Sequence, residues 1–191
     1  LFEEIDVSWA CGSVCHLGTT YRRWGKFVKG LEQHDRCIEL AERVNHDYAR
    51  VIGVVNKGAD LIHLEQFDEA SDLLNEASRI ATDKGFAYVQ TQAEYHQAWL
   101  RYLVADYKSV SKLLVDALGR ASSMKQNHFI IQESRLTLPL LSFALANNIE
   151  SDYVFWILER RGDAALSAVE PLVNHDDTVL RQKAAQAIGK V

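Results

Sequence analysis

The sequence predicts an all-α protein built from stacked helical hairpins. The chain has 191 residues and only 2 prolines, Pro139 and Pro171, which both lie in its last third. Everything before Pro139 is therefore free of the residue that most strongly interrupts a helix. Apolar residues recur at helical spacing, for example at positions 67, 70, 73, 74, 77 and 80. No alternating Val, Ile and Thr segments bounded by Asn-Gly or Asp-Gly turns occur, so no sheet is expected.

Short polar or glycine-containing stretches predict where each helix ends. They lie at residues 23–26, 44–47, 82–85, 104–106 and 147–152. Gly85 stands just past a helix end, where a left-handed residue closes the last turn. Asp106 stands where a side chain can cap the first turn of the next helix. Each segment between these stretches has room for about 3 to 5 turns, and we interpret the whole chain as ten helices.

An internal repeat with a period of about 40 residues is the strongest pattern in the chain. Five positions recur at this spacing: Gly18, Gly58 and Ala98; Phe27, Phe67 and Tyr107; Gly30, Ala70 and Val110; His34, Leu74 and Leu114; Cys37, Ala77 and Ala117. Small residues let the two helices of a hairpin approach closely, and the aromatic residue fills the space between them. One such hairpin cannot bury its apolar face alone, so several must stack. An ordinary helical bundle that is periodic by chance is the alternative.

These positions resemble the tetratricopeptide repeat, which has a small residue midway along its first helix and an aromatic residue at the start of its second. The second repeat fits best, through Gly58, Leu61, Phe67, Ala70, Leu74 and Ala77. The first repeat fits less well at Gly30 and His34, and Val110 replaces Ala in the third. The unit is longer than the usual one of this family. It is similar to the long-helix variety found in sensor regions of bacterial transcription activators and signal-transduction ATPases.

The resemblance covers roughly residues 11–125 and implies a right-handed α–α superhelix. We assign residues 1–125 to three tetratricopeptide-like hairpins. Residues 126–162 are assigned to a degenerate fourth hairpin, made of a helix over 127–146 and a helix over 152–161.

The segment 163–191 resembles a single HEAT-type repeat. The residues that carry this resemblance are Pro171, Asp176, Asp177, Arg181, Ala184, Ala185, Ala187 and Gly189. Leu180 stands where that family usually has Val. A lone repeat leaves an apolar face uncovered, so we expect the chain to be part of a larger protein with further repeats after Val191. Apolar residues near both ends leave a homodimer open as an alternative.

Composition and charge argue against several classes of partner. The formal net charge is -5, which is unfavourable for a broad contact with nucleic acid. No apolar run approaches the ~20 residues that span a bilayer, so no membrane partner is expected. Three cysteines cannot form a closed disulfide framework, which favours a reducing compartment. We therefore expect a cytoplasmic protein.

Candidate chemical groups are few. Cys11 and Cys15 share a helix face, but a zinc site needs four converging ligands, and buried core cysteines are the expected interpretation. No metalloprotease, nucleophile-elbow, phosphate-loop or Cys-x-x-Cys motif occurs. The seven scattered histidines are interpreted as turn and surface residues. We expect no catalytic residue, metal or cofactor.

The resemblance implies that the first helix of each hairpin lines an inner groove that binds a peptide or a small effector. The register of the repeat selects the groove residues Arg22, Arg23, His63, Tyr95, Trp99 and Tyr102. The last three follow at spacings of four and three and form one aromatic stripe. Such a stripe is typical of interaction hot spots and equally of core packing, and both interpretations stay open. The arginine pair is also typical of a helix C-terminus.

We therefore expect a non-catalytic protein–protein interaction module of a larger regulatory or signalling protein, with a protein or peptide as its partner. The alternative is a domain that senses a small-molecule effector in a transcription activator or signalling ATPase. An enzyme on an all-helical scaffold is a third hypothesis, for which the sequence contains no motif.

Overall fold

A computed structural model describes residues 2–125 and 128–160, together with Glu170, Thr178, Arg181, Gln182 and Ala184. These residues contain nine helices: α1 Phe2–Arg23, α2 Phe27–Arg43, α3 Asp47–His63, α4 Phe67–Asp83, α5 Ala87–Leu103, α6 Tyr107–Met124, α7 His128–Glu133, α8 Leu138–Ala146 and α9 Ser151–Glu159. The described part of the chain has no strand. The predicted all-α class is confirmed for the described residues. The HEAT-like segment 163–191 lies outside the described residues, apart from the five isolated ones.

The helix ends predicted from polar stretches are confirmed, and a further break lies at residues 64–66. Helices α2 to α6 begin at Phe27, Asp47, Phe67, Ala87 and Tyr107, so a helix and its turn form a unit of constant length. Gly85 has the expected left-handed backbone, with φ of 69°. The Asp106 side chain accepts a hydrogen bond from the Ser109 backbone N–H, as expected of an N-cap.

The same turn follows each of the first five helices. Its left-handed residue is Gly25, Asn45, Glu65, Gly85 or Ala105, with φ between 52° and 71°. The backbone N–H of the next residue donates to the carbonyl oxygen five positions earlier, at 2.8–2.9 Å in all five turns. This is the Schellman arrangement, which satisfies carbonyl groups at the end of a helix. Three of the five turns place a residue other than glycine in a conformation that crowds its Cβ atom.

The chain divides into two compact units, Leu1–Leu100 and Arg101–Val191. In the first unit, α2 packs between α1 and α3, and α3 packs against α4. The small residues expected at helix crossings lie there. A Cβ atom on Gly58 would come within 2.8 Å of Leu74 Cγ, so only glycine permits this approach of α3 to α4.

The second unit contains α6 to α9, and α9 packs against α7 and α8. The single helix expected over 127–146 is two helices in the structure. Helix α7 ends at Glu133, and α8 begins at Leu138 with Pro139 in its first turn. In a continuing helix the N–H of residue 139 would bond to the carbonyl of Arg135; proline lacks this N–H and its ring would clash with that carbonyl, which accounts for the break. Within the described residues, no helix has the length and apolar character needed to cross a membrane.

The repeated turn predicts that glycine at position 65 stabilises the protein. Glu65 is exposed and has φ of 60°. We expect Glu65→Gly to raise the free energy of unfolding by about 1 kcal/mol, because glycine adopts this backbone without a Cβ clash. Urea unfolding measures the change. The matched control is Glu76→Gly, on the exposed face of α4, which should lower stability by about 1 kcal/mol. Destabilisation by both changes would contradict this account of the turn.

Candidate functional site

A cluster of buried polar side chains lies where the first three helices meet. We call Arg22, His34, Asn56, Asp60 and Cys15 the polar cluster. Arg22 comes from the last turn of α1 and Cys15 from two turns earlier, His34 comes from α2, and Asn56 and Asp60 come from successive turns of α3. Arg22 is 1% exposed and Asp60 is fully buried. Charged side chains are almost never buried without partners, so Arg22 and Asp60 must each find hydrogen-bond partners inside the protein.

Arg22 is held by α3 through three hydrogen bonds. Its Nη1 donates to Asp60 Oδ1 at 3.1 Å and to the Asn56 backbone oxygen at 3.2 Å. Its Nη2 donates to the Asn56 side-chain oxygen at 2.8 Å. The Asn56 amide nitrogen in turn donates to the Ile52 carbonyl oxygen at 2.9 Å, which orients the amide. The C-terminal turn of α1 is therefore tied to the interior by side-chain bonds as well as by packing.

His34 joins the second helix to the same carboxylate. Its Nδ1 donates to Asp60 Oδ2 at 2.5 Å, and its Nε2 faces the Cys15 backbone oxygen at 3.2 Å. Burial by itself lowers the pKa of His34, but hydrogen bonds with the Asp60 carboxylate and with the Cys15 side chain raise that pKa above its ordinary value. Both ring nitrogens meet acceptors, so the geometry favours the imidazolium form.

The other two cysteines, Cys11 and Cys37, lie next to Cys15 of the polar cluster. All three are free thiols in one buried group between α1 and α2, and the predicted core placement is confirmed. Cys37 Sγ lies 3.3 Å from the Cys11 backbone oxygen, and Asn56 Nδ2 lies 3.6 Å from Cys15 Sγ. A hydrogen bond with Cys37, helped by His34 and Arg22, lowers the pKa of Cys15 although burial opposes it. Hydrogen bonding with Cys15, and then burial, raises the pKa of Cys37.

Members of the polar cluster occupy positions of the repeat that hold apolar residues in the next repeat along the chain. The positions equivalent to Arg22, His34 and Asp60 hold Ile62, Leu74 and Leu100. Two glycines make room for the exchange. A Cβ on Gly18 would lie 2.5 Å from His34 Nε2, and one on Gly30 would lie 2.9 Å from Asp60 Oδ2. The poor fit of Gly30 and His34 to the repeat is the sequence feature that could have revealed this cluster.

The structure corrects the placement of residues that the sequence assigned to surfaces. Arg22 is expected in an open groove, but its guanidinium lies inside the polar cluster, because Asp60 and Asn56 supply acceptors there. His34 is interpreted as a turn or surface histidine and is fully buried, because Asp60 and the Cys15 backbone oxygen supply acceptors for its ring nitrogens. His96 is buried as well.

The other residues of the expected groove are placed differently from one another. Tyr95 and Trp99 are buried in the first compact unit, as the core-packing interpretation expects. Arg23 and His63 are half-buried, and the His63 ring stacks on Phe27 at 4.6 Å. In the second compact unit, Tyr102 packs edge to face with Tyr107 and Phe143. A role of these residues in binding stays a prediction.

The polar cluster has no arrangement of ligands for a metal ion. Among the residues that the structure describes, no three His, Cys, Asp or Glu side chains are placed to hold one together.

No protein-family model matches the chain, and no curated protein sequence matches it significantly.

Loss of Arg22 should lower the free energy of unfolding far more than loss of an exposed arginine does. We expect Arg22→Ala to lower the free energy of unfolding by about 3–5 kcal/mol, because it removes one of the two cationic partners of the buried Asp60 carboxylate. Arg79, exposed and paired with Asp83 at 3.2 Å, provides the matched control. Arg79→Ala should change stability by about 0.5 kcal/mol or less. Equal effects of the two changes in urea unfolding would refute the importance of the polar cluster.

The raised pKa of His34 predicts a pH dependence of stability. The unfolded chain releases the histidine proton near pH ~6.5, whereas folded His34 keeps it to higher pH. The stabilisation that protonated His34 contributes is fully present below its unfolded pKa and is lost as the pH rises through its folded pKa. The Cys15 thiol titrates in the opposite sense, so the test uses Cys15→Ser.

In Cys15→Ser we expect the free energy of unfolding to fall as the pH rises above ~6.5. The further change His34→Gln should remove this fall. Urea unfolding of both variants across the pH range measures the difference. Identical pH profiles would show that the pKa of His34 is the same in the folded and unfolded chain, which would contradict the prediction.

Proposed function

We propose that this chain is a non-catalytic protein-binding module, and that it binds an acidic peptide segment at the turn between α1 and α2. The observation that carries the proposal is an exposed tryptophan beside lysine side chains. We call Tyr21, Trp24, Lys26 and Lys29 the Trp24 surface.

The Trp24 surface combines large aromatic area with positive charge. Trp24 is 66% exposed, and its ring meets Tyr21 edge to face at 6.3 Å. Lys26 Nζ lies 5.4 Å from the centre of the Trp24 ring, and Lys29 Nζ lies 5.9 Å from that of Tyr21. The turn itself does not require tryptophan, because the equivalent positions 44, 64, 84 and 104 hold Val, Leu, Lys and Val.

This combination of side chains favours binding of a partner that offers carboxylates and apolar groups. Tryptophan and tyrosine are enriched among residues that dominate binding energy at interfaces. Lysine stems cover aromatic faces while their charged ends stay in water. The chain as a whole is acidic, with a net charge of -5, so this local positive charge distinguishes the surface electrostatically. An acidic partner would be attracted here and repelled elsewhere.

The fold supports this proposal by analogy only. Helices of nearly equal length that begin at even spacing along the chain resemble the tetratricopeptide class of binding modules, which form extended surfaces from stacked hairpins. We also propose that the module is part of a larger regulatory or signalling protein. The alternative, an effector-sensing domain, gains no support from the cavity between α3 and α4. That cavity has a volume of about 50 Å³, whereas ligand pockets are typically ~300 Å³ or larger.

A peptide-display selection tests the proposal. A library of random peptides is selected against the folded chain and against Trp24→Ala in parallel, and enriched peptides are then measured by titration. We expect peptides rich in Asp or Glu with an apolar residue, bound at least ~10-fold more weakly by Trp24→Ala, since loss of an aromatic hot spot typically costs above ~1 kcal/mol. Lys26→Glu with Lys29→Glu should weaken binding further as charge is reversed.

The matched control is Trp9→Ala. Trp9 lies on α1 and is 76% exposed, but it is outside the Trp24 surface. Its loss should leave peptide affinity unchanged. Enrichment of basic peptides, or equal loss of binding in Trp9→Ala and Trp24→Ala, would contradict the proposed surface.

A further inference from the structure

The charges of the polar cluster are unbalanced without Cys15. Arg22 and the imidazolium of His34 are cations, and both bond to the single carboxylate of Asp60. Asn56 is neutral. A buried excess of positive charge is costly, so an additional anion nearby is stabilised. The Cys15 thiol is the group of the cluster that can supply it, since its sulfur meets the Asn56 amide at 3.6 Å and its backbone oxygen meets His34.

A second thiol lies within reach of Cys15. Cys37 Sγ lies 3.3 Å from the Cys11 carbonyl oxygen. In an α-helix this carbonyl accepts from the backbone N–H four residues later, which is that of Cys15. The Cys37 thiol therefore sits against the turn of α1 that carries Cys15, and the two side chains belong to one buried group. A disulfide requires Cβ atoms about 4 Å apart, which side chains on two directly packed helices can meet.

Cys15 is also the least buried of the three cysteine residues. It is 7% exposed, whereas Cys11 and Cys37 are fully buried. A peroxide can therefore reach Cys15 more easily than the other two cysteines. The thiolate is the nucleophile in cysteine oxidation, and the lowered pKa of Cys15 supports its reaction before the other two.

We propose that Cys15 is an oxidation site at which a peroxide leads to a disulfide with Cys37. In the first step the Cys15 thiolate attacks one oxygen of hydrogen peroxide, the O–O bond breaks, and hydroxide leaves with Cys15 as sulfenic acid. In the second step the Cys37 sulfur attacks Cys15, the S–O bond breaks, and the oxygen leaves as water with the Cys37 proton. Peroxide is reduced and two thiols are oxidised to one disulfide.

The reaction would change the polar cluster as well as the thiols. Disulfide formation removes the negative charge of Cys15 and leaves Arg22 and His34 to share Asp60. It also links α1 covalently to α2, the two helices that flank the turn carrying the Trp24 surface. The inference does not rest on the proposed peptide binding, because oxidation can be measured on the chain alone.

The test begins with the unaltered folded chain, so that no variant needs to fold. The reduced protein is exposed to hydrogen peroxide, and non-reducing peptide mapping with mass spectrometry identifies the products. We expect a mass loss of about 2 Da and a linked peptide pair that contains Cys15 and Cys37. We also expect alkylation of Cys15 to be at least ~10-fold faster than that of Cys11, and this preference to vanish in urea.

Two cysteine variants then separate the steps, each checked for helical content by circular dichroism. In Cys37→Ser the reaction should stop at Cys15 sulfenic acid, which dimedone traps. Cys11→Ser is the matched control and should still form the disulfide. Linkage through Cys11, or equal reactivity of the three thiols in the folded protein, would overturn the proposal.

Discussion

The buried ion pair between Arg22 and Asp60 is the interaction on which the arrangement of the first three helices depends. It connects the last turn of α1 to α3, and His34 brings α2 to the same carboxylate. Withdrawing such charges from water costs several kcal/mol per ion, which only well-formed hydrogen bonds repay. A shift of one helix by a single turn would leave a charge buried without its partner. The polar cluster therefore restricts the register of these helices more strictly than apolar packing alone.

The same interaction relates the interior to the surface. Arg22 is fixed by Asn56 and Asp60, and Trp24 follows it by two residues in the turn that ends α1. A turn held in this way can present an exposed aromatic side chain without a large loss of conformational entropy on binding. Cys15 lies two helical turns before Arg22, so its charge state acts on the bonds that position that turn. The polar cluster thus connects the thiols of the interior to the proposed binding surface.

Local features of the structure can be predicted, because each depends on a few adjacent residues. Gly85 predicts the end of α4, because glycine readily adopts the left-handed backbone found there. Asp106 predicts the start of α6, because its side-chain oxygen can cap the first turn. The break before Pro139 does not follow from the apolar pattern of 127–146, which continues across it, although proline is itself a break signal. Arg22 is expected on a surface because a helix C-terminus normally exposes its cations to water.

The sequence by itself determined the all-α class, most of the turns that end the helices and the spacing at which they recur. Helical periodicity, glycine and capping residues act over short stretches of chain and need no tertiary contact. Only the tertiary structure decided that Arg22, His34 and Asp60 share one buried site. These residues are far apart in the sequence and lie on three helices, so their contact depends on how each helix is rotated against the next. That rotation follows from packing of whole helix faces, which no single stretch of residues encodes.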